Sequence, residues 1–217
     1  MKYIFLDFNG TIINDLDLCL QLLNEILKKQ NKPLCDINKY KNIFTFPIKK
    51  YYELAGIDFS LDSYEDLAIW FISKYQPMSM SCGLFTGIEE AFLKLKEMGY
   101  HLVILSASER NNLIEQCQNY DIVKYFDDIL GIDNIHAASK VGIALDYMQK
   151  NKIDSNDVLM VGDTLHDLEV AKAIGANAIL VSCGHQSTEV LKQGKVQIIN
   201  DVCELPSILE VVYGEGN

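Results

Sequence analysis

Four short runs of consecutive apolar residues, rich in Ile, Leu and Val, punctuate the chain at 3–6 (YIFL), 101–105 (HLVIL), 158–161 (VLMV) and 178–181 (AILV). Each is followed by small or polar residues. Unbroken apolar runs of this length, without alternation, predict strands buried on both faces of a parallel sheet. Between them the period lengthens to that of a helix. Residues 89–98 (EEAFLKLKEM) place Ala91, Phe92, Leu95 and Met98 on one face, and Gly99 supplies the stop before the second strand. Helical patterns at 141–150 and 167–174 precede the third and fourth strands in the same way, with Gly175 closing the latter. Repeated units of this kind predict an α/β fold, a doubly wound parallel sheet with its ligand site at the carboxyl ends of the strands.

The pattern between the first strand and Gly83 is different. Residues 15–29 (DLDLCLQLLNEILKK), 48–54 and 63–75 carry apolar positions at helical spacing, and no strand alternation intervenes. Residues 14–81 therefore read as an inserted α-helical cap over the sheet, and 1–13 with 82–217 as the α/β core. A length of 217 residues with 49% hydrophobic side chains suffices for both. The tail at 214–217 is expected to be loose.

Composition narrows the partners. Nineteen basic against 30 acidic side chains give a net charge of −11, which repels nucleic acids and anionic membranes, so any bound phosphate must be held locally. The six cysteines (Cys19, Cys35, Cys82, Cys117, Cys183, Cys203) show neither C-x-x-C spacing nor a zinc-type pattern, as expected of a reduced, cytoplasmic protein. Asp7 interrupts the apolar start, no signal-peptide cleavage pattern follows, and no apolar run is long enough to span a bilayer. Oligomeric state is not encoded in any pattern of this kind.

The candidate chemistry lies at the ends of the predicted strands. Asp7 terminates the first strand and opens Asp7-Phe8-Asn9-Gly10-Thr11. Ser106 and Ala107 follow the second, Lys140 opens the helix before the third, and Gly162-Asp163-Thr164-Leu165-His166-Asp167 follows the third. Taken singly, each has a plain structural reading. Asp7 could cap a loop, Ser106 could cap the next helix, Asp163 and Asp167 could complement a helix dipole, and Lys140 could be a solvated surface group.

In this order and spacing, the four motifs resemble the haloacid dehalogenase superfamily, in its phosphoglycolate phosphatase-like branch with an α-helical cap. The resemblance covers nearly the whole core and is weaker in the cap. It implies a hydrolase of a small phosphorylated metabolite, with Asp7 as nucleophile forming an aspartyl-phosphate. It also implies Mg²⁺ held by Asp7, the Asn9 carbonyl and Asp163, with Asp167 orienting a metal-bound water, and hard oxygen ligands suit that ion. Ser106 with the Ala107 N–H, Gly10 and Thr11 would bind the phosphoryl group, and Lys140 would neutralise its charge. Lys49 and Lys50 fall where related caps present a substrate-facing loop and helix start.

The superfamily's phosphatases usually carry Asp-x-Asp-Gly-Thr, whose second aspartate is the general acid-base. Here that position is Asn9. An amide cannot exchange a proton as a carboxylic acid does, and losing a general acid-base costs about 10² to 10⁴ in rate. Two alternatives stay open: a phosphonoacetaldehyde-type carbon–phosphorus hydrolase using a cap lysine, Lys49 or Lys50, as an imine former, and a catalytically weak phosphate-ligand-binding protein.

Overall fold

The computed structural model describes residues 2–132 and 139–213. Its centre is a six-stranded parallel sheet in the order β3-β2-β1-β4-β5-β6. The strands are β1 (Tyr3–Leu6), β2 (His101–Glu109), β3 (Asp128–Ile132), β4 (Val158–Gly162), β5 (Asn177–Val181) and β6 (Gln197–Ile199). β1 pairs with β2 on one side and β4 on the other, so the strand order reverses there and opens a crevice at the carboxyl ends.

Ten α-helices surround the sheet among the described residues: α1 (Leu16–Lys29), α2 (Ile37–Ile43), α3 (Ile48–Ala55), α4 (Tyr64–Ser79), α5 (Ile88–Glu97), α6 (Arg110–Asn119), α7 (Lys140–Asn151), α8 (Leu165–Ile174), α9 (Thr188–Leu191) and α10 (Leu205–Tyr213). Successive strand residues face opposite ways, which divides the core into two layers. Ile4, Leu6, Leu102 and Ile104 pack with Phe92 of α5, Leu113 of α6 and Leu209 of α10. Phe5, Val103, Leu105 and Met160 pack with Ile143 and Met148 of α7 and Val170 of α8.

Helices α1–α4 enclose a separate cluster of their own, including Leu23, Leu27, Tyr40, Tyr51, Tyr52 and Leu67. The segment predicted to be wholly helical is therefore helical, and it buries its apolar faces largely on itself. Ser63 caps α4 by accepting from the Asp66 N–H.

The structure departs from the sequence reading at several places. The second strand runs on to Glu109 instead of ending at Leu105, with a shift in its pairing with β3 between those residues. Ser106 therefore lies within the strand, and the residue capping α6 is Glu109. Helix α8 starts at Leu165, two residues before the predicted Asp167, because Thr164 and Asp167 form a capping box. Edge strands β3 and β6 and helices α2, α9 and α10 are additional. The 214–217 tail lies outside the described residues.

Candidate active site

Three strand ends and one helix start converge on a single point. The Asp7 N–H donates to the Val161 carbonyl at 2.8 Å, carrying the β1–β4 ladder one residue further and fixing where its carboxylate emerges. Ser139 caps α7 by accepting from the Gly142 N–H, which sets Lys140 at the first helical position. The Lys140 ammonium, almost wholly buried, donates to Asp7 Oδ1 and to Asp167 Oδ1, each at 2.6 Å. The other Asp167 oxygen accepts from the Thr164 N–H at 3.0 Å and from its hydroxyl at 2.7 Å. Asp163 accepts from the His185 N–H at 2.5 Å and from the Thr11 hydroxyl at 3.4 Å.

Three carboxylates so close together, and so dry, are costly to ionise. Burial pushes Asp7 up to about 7 against the pull of Lys140, with Asp167 and Asp163 adding to the rise. Burial likewise raises Asp163 to about 6. Burial alone would discharge Lys140, but Asp167 and Asp7 overcome it and hold the ammonium charged. Two glycines make the packing possible. A Cβ on Gly162 would overlap the Asp167 carboxyl, and one on Gly10, whose φ is +69°, would overlap Asp163.

Asn9 is held at both ends of its amide. Nδ2 donates to Asp15 Oδ2 at 3.0 Å and to the Tyr75 hydroxyl at 2.6 Å, while Oδ1 accepts from the Ser108 hydroxyl at 3.1 Å. Tyr75 in turn donates to Asp15 Oδ2 at 2.6 Å, and the Gly10 N–H donates to Asp15 Oδ1 at 2.9 Å. His185 Nε2 lies 3.2 Å from that same oxygen, and its Nδ1 meets the Tyr40 hydroxyl at 2.9 Å. Burial opposes charge on both Asp15 and His185. Each nonetheless stabilises the other's charged form, lowering Asp15 and raising His185 to about 9. Asn9 is thus the neutral partner of a buried ion pair.

Above the carboxylates lies a cavity of about 380 Å³ between the sheet and α1–α4. Asp7, Asn9, Ser106, Ala107, Lys140, Asp163 and Asp167 all line it. Ser106 is buried, and its Oγ accepts from the Ser108 N–H at 3.1 Å. Other predicted residues are placed elsewhere. Gly10 and Thr11 are buried beneath the loop and do not line the cavity. Lys49 and Lys50 are exposed and do not line it, the Lys49 ammonium lying 5.5 Å from the Phe59 ring centre.

The sequence reading missed Asp15, Tyr75, Ser108 and His185. Asp15 passes for the first residue of an ordinary helix, and Tyr75 for one more apolar position of α4. His185 follows the fourth predicted strand at its carboxyl end, the place where a ligand site is expected, and was detectable on that ground.

The oxygens of Asp7, Asp163 and Asp167 lie within 4.8 Å of one another, an all-oxygen set of the kind a hard divalent cation takes. Fold and site together define a doubly wound enzyme core with a carboxylate–lysine centre at its topological switch point. The chain belongs to the haloacid dehalogenase-like hydrolases, the family that matches residues 3–181. It is 26% identical over 206 residues to a protein named probable phosphatase IndB from Dickeya dadantii, covering 91% of this chain and 88% of that one. It is also 26% identical over 130 residues to a phosphoglycolate phosphatase from Vibrio parahaemolyticus, but that match covers only 59% of this chain and 56% of the relative. A predicted phosphatase from Clostridium acetobutylicum shares the fold with a TM-score of 0.80 at 23% identity, covering 96% of this chain and 98% of that one. Among the described residues no helix is long and apolar enough to cross a membrane, and all six cysteines are free.

Proposed function

We propose that the chain is a Mg²⁺-dependent phosphomonoesterase acting on a small phosphorylated metabolite, with Asp7 as nucleophile and α1–α4 as its cap. The observation that carries this reading is the position of Lys140, a buried ammonium 2.6 Å from both Asp7 and Asp167. It works against the effect of burial and favours the charged form of Asp7 that a nucleophile needs, at a carboxylate that lines the cavity. In the reaction Asp7 attacks phosphorus, forming an aspartyl-phosphate that water then hydrolyses. Lys140 stays charged throughout and neutralises the phosphoryl oxygens. Ser106 and the Ala107 N–H hold those oxygens. Asp167 positions Lys140 through one oxygen and Thr164 through the other. Asp7, the Asn9 carbonyl and Asp163, with Asp167 beside them, would hold the cation, which supplies charge neutralisation on the transferring phosphoryl group. The relatives named as phosphatases support the same chemistry.

Asp7→Asn keeps the shape and removes the nucleophile. Phosphate release from any accepted ester should fall below detection, while the thermal melt stays within a few degrees of the parent. Continued turnover by Asp7→Asn would refute the assignment.

A further inference from the structure

Resting on that phosphatase reading, we infer that the site is built for an aryl phosphate: the phosphate monoester of an uncharged, phenol-like alcohol. Two independent observations lead there.

The first is the wall of the cavity opposite the carboxylates. Helices α1–α4 and their connections contribute eight aromatic rings to it, among them Tyr40, Phe44, Phe46, Tyr64 and Phe71. They contribute neither lysine nor arginine. Beyond Lys140, the described side chains there that could carry positive charge are two histidines. His185 is committed to Asp15 at 3.2 Å. His166 has its ring stacked on Phe46 with ring centres 4.4 Å apart. A second negative group on the substrate, such as the carboxylate of a phosphorylated hydroxy acid, would be desolvated among rings and beside Asp15 and Glu109 with no cation of its own. A flat apolar ring would bury its faces against those aromatic side chains.

The second is Asn9. A phosphatase acting on an alkyl ester must protonate a leaving oxygen whose conjugate acid is about as weak as water, near pKa 15.7. A phenolate, with a conjugate acid near pKa 10, leaves far more readily without help. The Asn9 amide cannot give a proton, and its bonds to Asp15, Tyr75 and Ser108 hold it in place. An aromatic wall and a missing acid therefore select the same leaving group.

The step balances without a further reagent. An Asp7 oxygen bonds to phosphorus as the bond from phosphorus to the aryl oxygen breaks, and the electron pair departs with the phenolate. Water then attacks the aspartyl-phosphate and the bond from phosphorus to Asp7 breaks, regenerating the carboxylate. One water proton stays on the phosphate product, and the other passes through solvent to the phenolate.

The test uses the full chain with Mg²⁺ and three esters: phenyl phosphate, benzyl phosphate and 2-phosphoglycolate. Phenyl and benzyl phosphate share a ring and differ in whether a phenolate or an alkoxide leaves. We expect kcat/KM for phenyl phosphate to exceed that for benzyl phosphate by a hundredfold or more, the scale of a missing general acid, and to exceed that for phosphoglycolate by at least as much. Phe71→Ala should raise KM for phenyl phosphate several-fold. Comparable rates on phenyl and benzyl phosphate would overturn the inference by showing that an acid is present, and so would faster turnover of phosphoglycolate; both leave the phosphatase reading intact. Absence of phosphate release from all three, and from acetyl phosphate as well, would overturn the two together.

Discussion

Asn9 Nδ2 lies 3.0 Å from an oxygen of Asp15, so replacing the amide by a carboxylate sets two anions against each other at hydrogen-bonding distance. The side chain that would complete the usual Asp-x-Asp pair is therefore not simply absent. Its place is structurally tied to Asp15, which is itself balanced by His185 and by donation from Gly10 and Tyr75. Asn9→Asp should consequently bind a proton in its new carboxyl or break the bond, at a cost of about 2 kcal/mol in stability. In an Asp15→Asn background the same change should cost at most half as much, since the opposing charge is gone. Urea melts of the four proteins in the double-mutant cycle, recorded without metal, measure that coupling, and additive costs would show that Asn9 and Asp15 do not act on one another. The departure at position 9 could be read from the chain because it breaks a recognisable spacing. Its partner could not, because nothing in a helix-start aspartate announces that it turns back onto a residue six positions earlier.

Elements were legible in proportion to how much apolar surface they bury. Strands β1, β2, β4 and β5 contain apolar runs rich in Ile, Leu and Val that are too short for a buried helix of ordinary length and end at small or polar residues. The edge strands are three and five residues long and include Gln197, Asp128 and Gly131, so they carry little pattern of their own and owe their pairing to the neighbouring strand. The ends of elements depend on single polar contacts that a hydrophobic pattern does not report. Asp127, just before β3, shows one such contact. It accepts from both the Lys96 ammonium and the Leu102 N–H, tying α5 and β2 to the edge. Burial acts to raise its pKa, but Lys96 and the Leu102 N–H outweigh burial and leave it lowered. A lowered folded-state value stabilises the protein above the unfolded value, near 3.9, and that contribution is lost as pH falls through the folded value. Asp127→Asn should thus be less stable than the parent by about 1 kcal/mol at pH 7, a modest figure because the group is partly solvated. The gap should shrink as pH drops below about 4. Thermal melts across that range check it, and a gap independent of pH would assign the loss to shape instead of charge. For Ser139→Ala, which removes the cap of α7, the expected loss is also about 1 kcal/mol. Because that cap sets where Lys140 emerges, phosphate release should fall along with stability.

At the scale of the whole molecule, the helical insert is seated on the core through the loop that follows β5. Gln186 Nε2 donates to the Phe44 carbonyl at 2.8 Å, the Ser187 N–H donates to the Lys41 carbonyl at 2.9 Å, and Phe44 stacks on His185 with ring centres 4.8 Å apart. Phe46 reaches across to His166, which sits in the same acidic motif as Asp163 and Asp167. These contacts join the insert to the core beside the cavity, so any movement of the insert away from the core has to break them. An aromatic pair of this kind contributes about 0.5 to 1.5 kcal/mol, which corresponds to roughly a two- to tenfold change in the population of an open form. Phe46→Ala removes the stack without touching the carboxylates or Lys140. Amide exchange in α2 and α3 should accelerate by that factor while the exchange of β1 and β4 stays unchanged, because the sheet core is stabilised independently of the insert. The same variant should raise KM for an accepted ester more than it lowers kcat, since a loosened wall weakens the hold on the leaving group and leaves Asp7 where it was. Equal acceleration of exchange in the sheet would mean that insert and core open as one cooperative unit, and the insert could then not act as a separate lid.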